Sequence, residues 1–572
     1  MDFKQRLSEV FQLVSDEMFT VNDIPGDWIS LTDSGIRLLE DNGNSSEDWS
    51  RVKVFRDAAL DSVQNCVFKG EVRIAMTPAE IEGKKVDPVL RRCCLDNVEV
   101  LPGCRIEFTN LLRNLHIGEG VVIENCGRLI YEQGSMCGCG VGLELGVETG
   151  ERNVPSSPCL DTDLASALSG GCDRGDNLAI YRAFLDGFLS KLRSKKIGII
   201  GKACRIQDTP VLENCCIGSA VSVLNACAVR NSTVLGGELN PASILDGALV
   251  RDSILKWGSR VDSMAIVEKS IVGEASVIEK HGKLTLSFLG PNSVLAEGEI
   301  TASLAGPFTS SHHQSLLIAA RWPEGRGNIG YGANVGSNHT SRLPDQEIRP
   351  GEGMFFGLAC SVKFPADYSM APYSIIATGV TSLPQKVEFP FSLICEPFSS
   401  VDGMQPAFNQ IIPGWVLSDN LFAVNRNEKK YMSRNRARHW KPGGKIIRED
   451  TAEMMMTSLE KLDVQSVKEI YTEADICGLG KNYLTEAHRL KAIETYRFHI
   501  RFFALDDLSS SPEELSDFRR RILESEFPGV PMEELHEIHS DMRDRIAESI
   551  RMSREKDYSR GCRIIGDYAD VR

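Results

Sequence analysis

A repeat of short aliphatic segments constrains this chain more than any other feature of its sequence. Copies of the segment begin at Val211, Val229, Val250, Val267 and, more loosely, Leu284. A small residue at the same place in each copy advances by 17, 21, 17 and 17 residues, through Cys215, Ser232, Ser253, Ser270 and Ser287. Steps of about 18 residues predict coils of three short strands, with aliphatic side chains inside and each small side chain stacked on its counterpart in the next coil.

A six-residue unit is visible within the repeat. Ile329–Asn334 and the directly following Val335–Thr340 each begin with an aliphatic residue, followed by Gly and small residues that suit a turn and a corner. This pattern resembles the hexapeptide-repeat proteins, which implies a mainly β fold: a left-handed parallel β-helix. Helical spacing of apolar residues elsewhere predicts a helical insertion and an α-helical C-terminal region.

The changes of pattern divide the chain into six segments. We expect an N-terminal mixed capping segment, first β-helix coils, a helical insertion, the main β-helix, a linker with a basic segment, and an acidic α-helical C-terminal region. The insertion is predicted from the three-and-four spacing of Leu178, Tyr181, Leu185, Phe188 and Leu192. In chain order the six segments are residues 1–75, 76–150, 151–197, 198–400, 401–450 and 451–572.

Charge and composition exclude several classes of protein. The 64 Lys and Arg against 79 Asp and Glu give a net charge of -15, which disfavours broad coating of nucleic acid or anionic lipid. No stretch approaches the roughly 18 apolar residues that cross a bilayer, and the first residues lack a leader-like apolar core. The 17 Cys are interpreted as reduced thiols. We therefore expect a cytoplasmic protein that does not contact a membrane.

The stretch from Gly306 to Thr340 carries the strongest chemical signal, with three of the ten His of the chain. An imidazole can take a proton from a hydroxyl or amine near neutral pH, as a general base must. His312 or His313 is therefore the predicted catalytic base. Because neighbouring residues of a strand face opposite ways, only one of them is expected to reach a given cleft if both lie in a strand.

The same stretch offers groups that could bind a substrate. Arg321 and Arg326 are predicted to hold anionic groups, and Asn338 and His339 are predicted to orient the acceptor. Three His could instead hold a zinc ion, whose bound water becomes a nucleophile near neutral pH. The spacing of these His does not match the hexapeptide-repeat carbonic anhydrases, so no metal ligand is assigned.

A second concentration of charge lies between Arg426 and Arg448, with nine Lys or Arg against one acidic residue. Such a local field attracts phosphate, and Arg offers it a bidentate fork. If the segment is helical, four of its cations lie on one face at four-residue steps. These predicted binding residues are Arg426, Lys430, Arg434 and Arg438. A nucleotide, a nucleotide-sugar, coenzyme A and a local RNA contact are all compatible with this face, as is a solvated basic helix.

Longer strings of the sequence resemble one family. The stretch from Gly306 to Thr340, together with the strings that begin at Pro350, Ala371 and Gly414, is similar to an uncharacterised bacterial family of long left-handed β-helix proteins. The broader resemblance to hexapeptide acyltransferases implies a His base in a cleft between coils, acyl-coenzyme A as donor, and a homo-oligomer such as a trimer.

These observations lead to a functional hypothesis and its alternatives. The leading hypothesis is an acyltransferase-like enzyme acting on a sugar, a nucleotide-sugar or a related phosphorylated metabolite. A non-catalytic binding protein or assembly scaffold is the first alternative. A sugar-nucleotide-transferase-related protein or a zinc-dependent enzyme like carbonic anhydrase is the second, although neither the Gly-x-x-x-x-Gly-Lys-Ser/Thr loop nor the pyrophosphorylase signature is present.

Overall fold

The computed structural model divides the chain into two compact units. Unit 1 comprises Met1–Pro323 with Arg436–Trp440, and unit 2 comprises Glu324–Asn435 with Lys441–Arg572. The residues that the structure describes are 2–19, 28–81, 83–148, 150, 152–336, 347–398, 401–402, 404–506 and 515–567. The fold is mainly β, with about 19 turns of β-solenoid, and the C-terminal region is helical.

Three parallel ladders form the coils of unit 1, and the long strand Arg105–Ile117 takes part in all of them. The first continues through Gly198–Ile200, Cys216–Ile217, Thr233–Val234, Ile254–Leu255, Ile271–Val272, Phe288–Leu289, Leu304–Ala305 and Arg321–Trp322. The second continues through Val122–Glu124, Arg205–Gln207, Ser222–Leu224, Ser243–Leu245, Arg260–Val261, Val277–Glu279, Val294–Ala296 and Ser310–His312. The third continues through Arg128–Ile130, Val211–Glu213, Ala228–Arg230, Leu249–Arg251, Ile266–Glu268, Lys283–Thr285, Glu299–Thr301 and Leu316–Ile318.

The predicted stacking of small residues is present as a ladder of buried serines. The backbone N–H of Ser253 donates to Ser232 Oγ at 3.2 Å, and Ser270 and Ser287 each donate to the serine of the preceding coil at 3.1 Å. The residue before each of these serines has a positive φ, for example Asn231 at 46°, which turns the chain at the corner. Each serine therefore satisfies a backbone donor that the corner would otherwise leave buried and unpaired.

Parallel pairing in unit 1 begins earlier than the sequence indicates. Ser45–Ser46 pairs with Val67–Phe68, and Val52–Val54 pairs with Val72–Ile74, inside the segment expected to cap the coils. Strands Val63–Gln64, Val67–Lys69 and Val72–Ile74 pair in parallel with Val89–Val100, which in turn pairs with Arg105–Ile117. Antiparallel pairs join Trp28–Ser30 to Val52–Phe55, Ala79–Ile81 to Lys84–Val86, and Gly142–Glu144 to Asn153–Pro155.

The helices of unit 1 are α1 (Phe3–Phe19), α2 (Asp33–Asp41), α3 (Thr162–Ser169) and α4 (Arg174–Ser194). The spacing that predicts the helical insertion falls in α4, where Tyr181, Leu185, Phe188 and Leu192 are buried. Asp161 precedes α3 as its N-cap residue, and its side chain accepts the backbone N–H of Leu164.

Unit 2 contains further coils followed by helices. Its parallel ladders are Asn328–Ile329, Phe355–Phe356, Ile375–Ile376 and Leu393–Cys395, then Asn334–Val335, Ser361–Val362 and Thr381–Ser382, then Ile348–Arg349, Ala366–Asp367 and Gln385–Lys386. Asn409–Ile412 pairs antiparallel with Leu393–Cys395 and parallel with Asn482–Thr485, which also pairs with Ile470–Tyr471. The helices are α5 (Trp415–Asp419), α6 (Leu421–Arg434), α7 (Glu449–Leu462), α8 (Glu486–Leu505), α9 (Asp517–Glu526) and α10 (Met532–Cys562). Among the described residues, no helix is long and apolar enough to cross a bilayer.

Candidate active site

His312 and His313 lie beside each other at the end of a coil strand. His312 ends the strand Ser310–His312, whereas His313 follows it with a φ of 53°. Because the chain turns at this point, the alternation expected for two strand residues does not apply, and the two rings lie 6.1 Å apart. The His313 side chain is 65% exposed, and its Nδ1 lies 2.8 Å from Glu297 Oε2. The structure therefore brings both imidazoles to one exposed corner.

The two predicted binding arginines of the same stretch have partners within their own units. In unit 1, the Arg321 guanidinium donates to the Ser166 carbonyl at 3.0 Å and to Ser169 Oγ at 3.3 Å, both on α3. In unit 2, Arg326 Nη1 donates to the buried Glu352 at 2.9 Å, and its Nη2 donates to the Gly443 carbonyl at 3.0 Å. These contacts attach neighbouring segments of the chain to one another.

Arg326 is part of a larger buried cluster around Glu352 in unit 2. The Glu352 carboxylate also accepts hydrogen bonds from Arg448 and from the hydroxyl of Tyr373. The Arg326 guanidinium lies 5.1 Å from the ring centre of Tyr431, whose hydroxyl donates to the Arg326 carbonyl at 2.7 Å. Because Glu352, the Gly443 carbonyl and the Tyr431 ring surround its guanidinium, Arg326 stabilises the packing of unit 2. Asn338 and His339 lie outside the described residues.

The basic helix is shorter than the four-residue spacing predicts. Arg426, Lys430 and Arg434 lie on α6, but α6 ends at Arg434, so Arg438 does not extend this face. Arg438 belongs instead to residues 436–440 of unit 1, where its backbone N–H donates to Glu274. Arg438 is therefore not part of the predicted four-cation face. It lies in a separate, non-helical segment whose backbone contacts Glu274.

The three remaining cations form a positive surface on α6. Burial lowers the pKa of Lys430, and the neighbouring charges of Arg434 and Arg426 lower it further. Within the described part of the chain, none of the three has a carboxylate within ion-pair distance. An anion at this surface would relieve their mutual repulsion.

A different imidazole is held more firmly. His439 Nδ1 lies 3.1 Å from Glu274 Oε1, and the backbone N–H of His439 donates to Glu274 Oε2 at 3.0 Å. The Arg438 N–H adds a third hydrogen bond to this carboxylate at 2.7 Å. Glu274 is 5% exposed and His439 is 31% exposed, with the Trp257 ring centre 4.4 Å from the imidazole. The pair is therefore buried on the carboxylate side and accessible on the imidazole side.

The electrostatics of this pair favour an ionised carboxylate. Burial opposes ionisation of Glu274, but the hydrogen bonds from His439 and from the two backbone N–H groups outweigh it and lower the pKa of Glu274. An ionised carboxylate only accepts hydrogen bonds, so Nδ1 of His439 carries a hydrogen, and Nε2 has a free lone pair when the imidazole is neutral. This tautomer is the one that a general base requires.

A hollow of about 40 Å³ adjoins the pair in unit 1. Its lining includes Lys256, Trp440 and the ion pair between Arg6 and Asp161, whose Nε and Oδ2 atoms are 2.7 Å apart. Lys256 is buried, and this burial lowers its pKa against the opposing charges of Asp161, Cys159 and Glu274. Cationic and acid–base groups thus meet in one small space.

Sequence reasoning missed this site because its parts are 165 residues apart. His439 stands in the basic stretch whose charge spacing predicts a helical face, and nothing in the local sequence connects it to Glu274. The available signal was the order Arg438-His439-Trp440, an imidazole beside an aromatic residue within a cationic segment. Among the described residues, no group of three or more His, Cys, Asp and Glu has the arrangement of a metal site.

The comparison with protein families identifies the chain. Residues 28–440 match the family model described as a domain of unknown function, DUF4954. The chain belongs to the DUF4954 family. The predicted membership in an uncharacterised family is thereby confirmed, and the matched region of this DUF4954 protein includes both Glu274 and His439.

One relative of this DUF4954 protein is an uncharacterized protein of Treponema pallidum (strain Nichols). The two are 25% identical over 435 residues, which is 72% of this chain and 58% of the relative. The DUF4954 chain therefore spans less than two thirds of the length of that relative.

Proposed function

We propose that this DUF4954 protein is an acyltransferase-like enzyme whose general base is His439. The observation that carries the proposal is the hydrogen-bonded pair of His439 and the buried Glu274 beside a small hollow. In this proposal the solenoid is a left-handed β-helix of hexapeptide repeats, as in the acyltransferases that the sequence resembles. The three ladders and coil steps near 17 residues support that assignment.

The proposed chemistry begins with the imidazole. Nε2 of His439 takes the proton of an acceptor hydroxyl or amine as that group attacks the carbonyl carbon of an acyl thioester. Glu274 accepts from Nδ1 and stabilises the imidazolium that results, as a buried carboxylate does beside other catalytic His. The proton then passes to the departing thiolate of the donor, so no covalent acyl-enzyme is needed.

The hollow limits what can react there. A space of about 40 Å³ holds one functional group, so the donor and the acceptor would extend outward from it. Lys256 and Arg6 supply basic side chains at its wall, suited to an oxyanion or to a phosphate of the substrate. This chemistry fits acyl-coenzyme A as donor and a sugar, nucleotide-sugar or related phosphorylated metabolite as acceptor. The proposed enzyme is a homo-oligomer such as a trimer.

Transfer of radiolabelled acetyl groups tests the proposal. The protein is incubated with labelled acetyl-coenzyme A and a panel of amino sugars, nucleotide-sugars and sugar phosphates, and products are separated chromatographically. Thiol reagents are unsuitable as a readout because all 17 Cys are free and several are exposed. We expect transfer to at least one acceptor and a loss of about 100-fold or more in His439→Asn.

The matched variant separates the two candidate bases. His312→Ala combined with His313→Asn removes both imidazoles of the exposed corner and should retain turnover. Loss of transfer in this double variant but not in His439→Asn would contradict the assignment of His439. Absence of transfer to every acceptor by the unaltered protein, with acetyl-coenzyme A failing to raise its melting temperature, would contradict the acyltransferase proposal.

The cationic surface of α6 favours a second function, the binding of a polyanion by a non-catalytic scaffold. Arg426, Lys430 and Arg434 have no acidic partner within the described residues, so they can contact phosphates without breaking an ion pair. Single-stranded RNA retained at low salt should be released by Arg426→Glu combined with Arg434→Glu. Equal retention by this double variant would exclude α6 as the binding surface.

A further inference from the structure

Helix α10 is incompletely packed against the other helices of unit 2. In its first half Leu535 and Met542 are buried and join a cluster with Leu505. Farther along, Ile546 and Ile550 are only half-buried. The space beside these two residues is not filled by side chains, and it forms two neighbouring hollows.

The larger hollow has a volume of about 680 Å³ and lies among α5, α8 and α10. This volume is within the range of small-molecule sites in proteins. Leu490, Phe498, Met542 and Ile546 contribute to its apolar wall. The smaller hollow, of about 150 Å³, lies among α6, α8 and α10.

His499 connects the two hollows, since it lines both together with Leu421 and Ile546. It is only 3% exposed, and among the described residues its Nδ1 has no hydrogen-bond partner. Burial lowers the pKa of His499 to about 4, and the nearby backbone carbonyl of Leu417 opposes this shift. The ring is therefore neutral at physiological pH. A ring nitrogen that is buried without a partner is costly, and a ligand that donates a hydrogen bond would remove that cost.

The rim of the larger hollow carries several cations. Lys491 is paired with Asp419, and Arg501 is paired with Glu526. Arg545 instead lies over the ring of Phe498, 4.8 Å from its centre, with no carboxylate in ion-pair distance within the described residues. The guanidinium of Arg545 is thus available to an anionic group of a ligand whose apolar part contacts Phe498.

We propose that the hollow beneath α10 binds a small amphipathic anion. Its apolar body lies along Phe498, Met542 and Ile546, a hydroxyl or N–H group donates to Nδ1 of His499, and its anionic group contacts Arg545. This site is separate from the acyl-transfer proposal, because every residue that lines it belongs to unit 2 and lies beyond residue 416. The two proposals can therefore fail independently.

The fluorescent probe 1-anilinonaphthalene-8-sulfonate tests the site on the full chain, since it combines apolar rings, an N–H donor and a sulfonate. We expect one bound probe per chain, with a dissociation constant on the order of tens of micromolar for a ligand of this size. His499→Phe keeps an apolar ring but removes the acceptor, and should weaken binding about tenfold. Ile546→Trp fills the space shared by the hollows and should weaken binding more. His536→Phe, at an exposed position of α10, is the matched control and should bind normally.

Thermal melting of each variant without probe distinguishes lost binding from lost folding. Ile546 is half-buried, so Ile546→Trp remains informative if His499→Phe does not fold. A nitrogen NMR spectrum of the imidazoles adds a direct readout, because the Nδ1 resonance of His499 should move when it accepts a hydrogen bond. The proposal is overturned by the absence of saturable one-site binding, by equal affinity of Ile546→Trp and His536→Phe, or by self-association of the chain that excludes the probe.

Discussion

Two of the imidazole–carboxylate pairs in unit 1 have similar separations but very different surroundings. His313 lies 2.8 Å from Glu297, and His439 lies 3.1 Å from Glu274. The side chains of the first pair are 65% and 41% exposed, whereas those of the second are 31% and 5% exposed. Water and salt screen an exposed pair, but a buried carboxylate that loses its donors pays the full cost of desolvation. Burial, and not distance, therefore distinguishes a pair that can organise a site from a surface contact.

Removing each carboxylate in turn should give the largest difference in stability between the two pairs. Glu274→Ala leaves the N–H groups of Arg438 and His439 without their acceptor, so we expect a loss of about 3 kcal/mol in the free energy of unfolding of unit 1. Glu297→Ala should change it by less than about 0.5 kcal/mol. Denaturation followed by tryptophan fluorescence measures both, since Trp257 and Trp440 lie near Glu274.

Hydrogen exchange provides the local control for this prediction. The amides of Arg438 and His439 should lose protection in Glu274→Ala while the coil amides keep theirs. Equal effects of Glu274→Ala and Glu297→Ala would show that the difference in burial has no energetic consequence.

The coils are predictable from the sequence because residues close together in the sequence determine each coil. The spacing of Ser232, Ser253, Ser270 and Ser287 predicts stacked corners, and the same serines form the observed hydrogen-bonded ladder. Each coil contacts mainly its neighbours, so a short window of sequence contains the whole pattern. The apolar spacing of α4 is local in the same way.

The candidate site was not predictable by the same reasoning, because it depends on a long-range contact. Nothing in the local sequence distinguishes Glu274 from the other polar residues of the coils. The charge spacing around His439 favours a continuous helix. The helix ends at Arg434. Within unit 1, the backbone N–H groups of Arg438 and His439 donate to Glu274, an interaction that side-chain periodicity does not encode. The sequence also predicts Arg326 to be a binding residue, because it does not reveal that Glu352 and Tyr431 surround this side chain.

Acid should weaken the Glu274 contacts by a smaller amount than removal of the side chain. The folded-state pKa of Glu274 lies below its ordinary value of 4.5. A carboxyl shifted in this direction adds stability that is fully present above its unfolded-state pKa and is lost as the pH falls through its folded-state pKa. Protection of the Arg438 and His439 amides should therefore be constant above about pH 5 and decline below pH 4.5.

Glu274→Gln is the control for this titration, since it keeps an acceptor of the same shape but cannot ionise. Its amide protection should be lower at neutral pH and independent of pH in the acidic range. A decline of equal size in Glu274→Gln would assign the acid effect to another group.

The smallest effect is expected at the exposed corner. His313 has a φ of 53°, a conformation that Asn adopts readily, so His313→Asn removes the imidazole with little backbone cost. Because the contact with Glu297 is largely exposed, the free energy of unfolding should change by less than about 0.5 kcal/mol, and this difference should shrink further when salt is raised. Denaturation at low and high salt measures it. A loss above about 1 kcal/mol that persists at high salt would mean that the corner is coupled to the buried Ser311 and Ser315 beside it, whose hydroxyls are 2.7 Å apart.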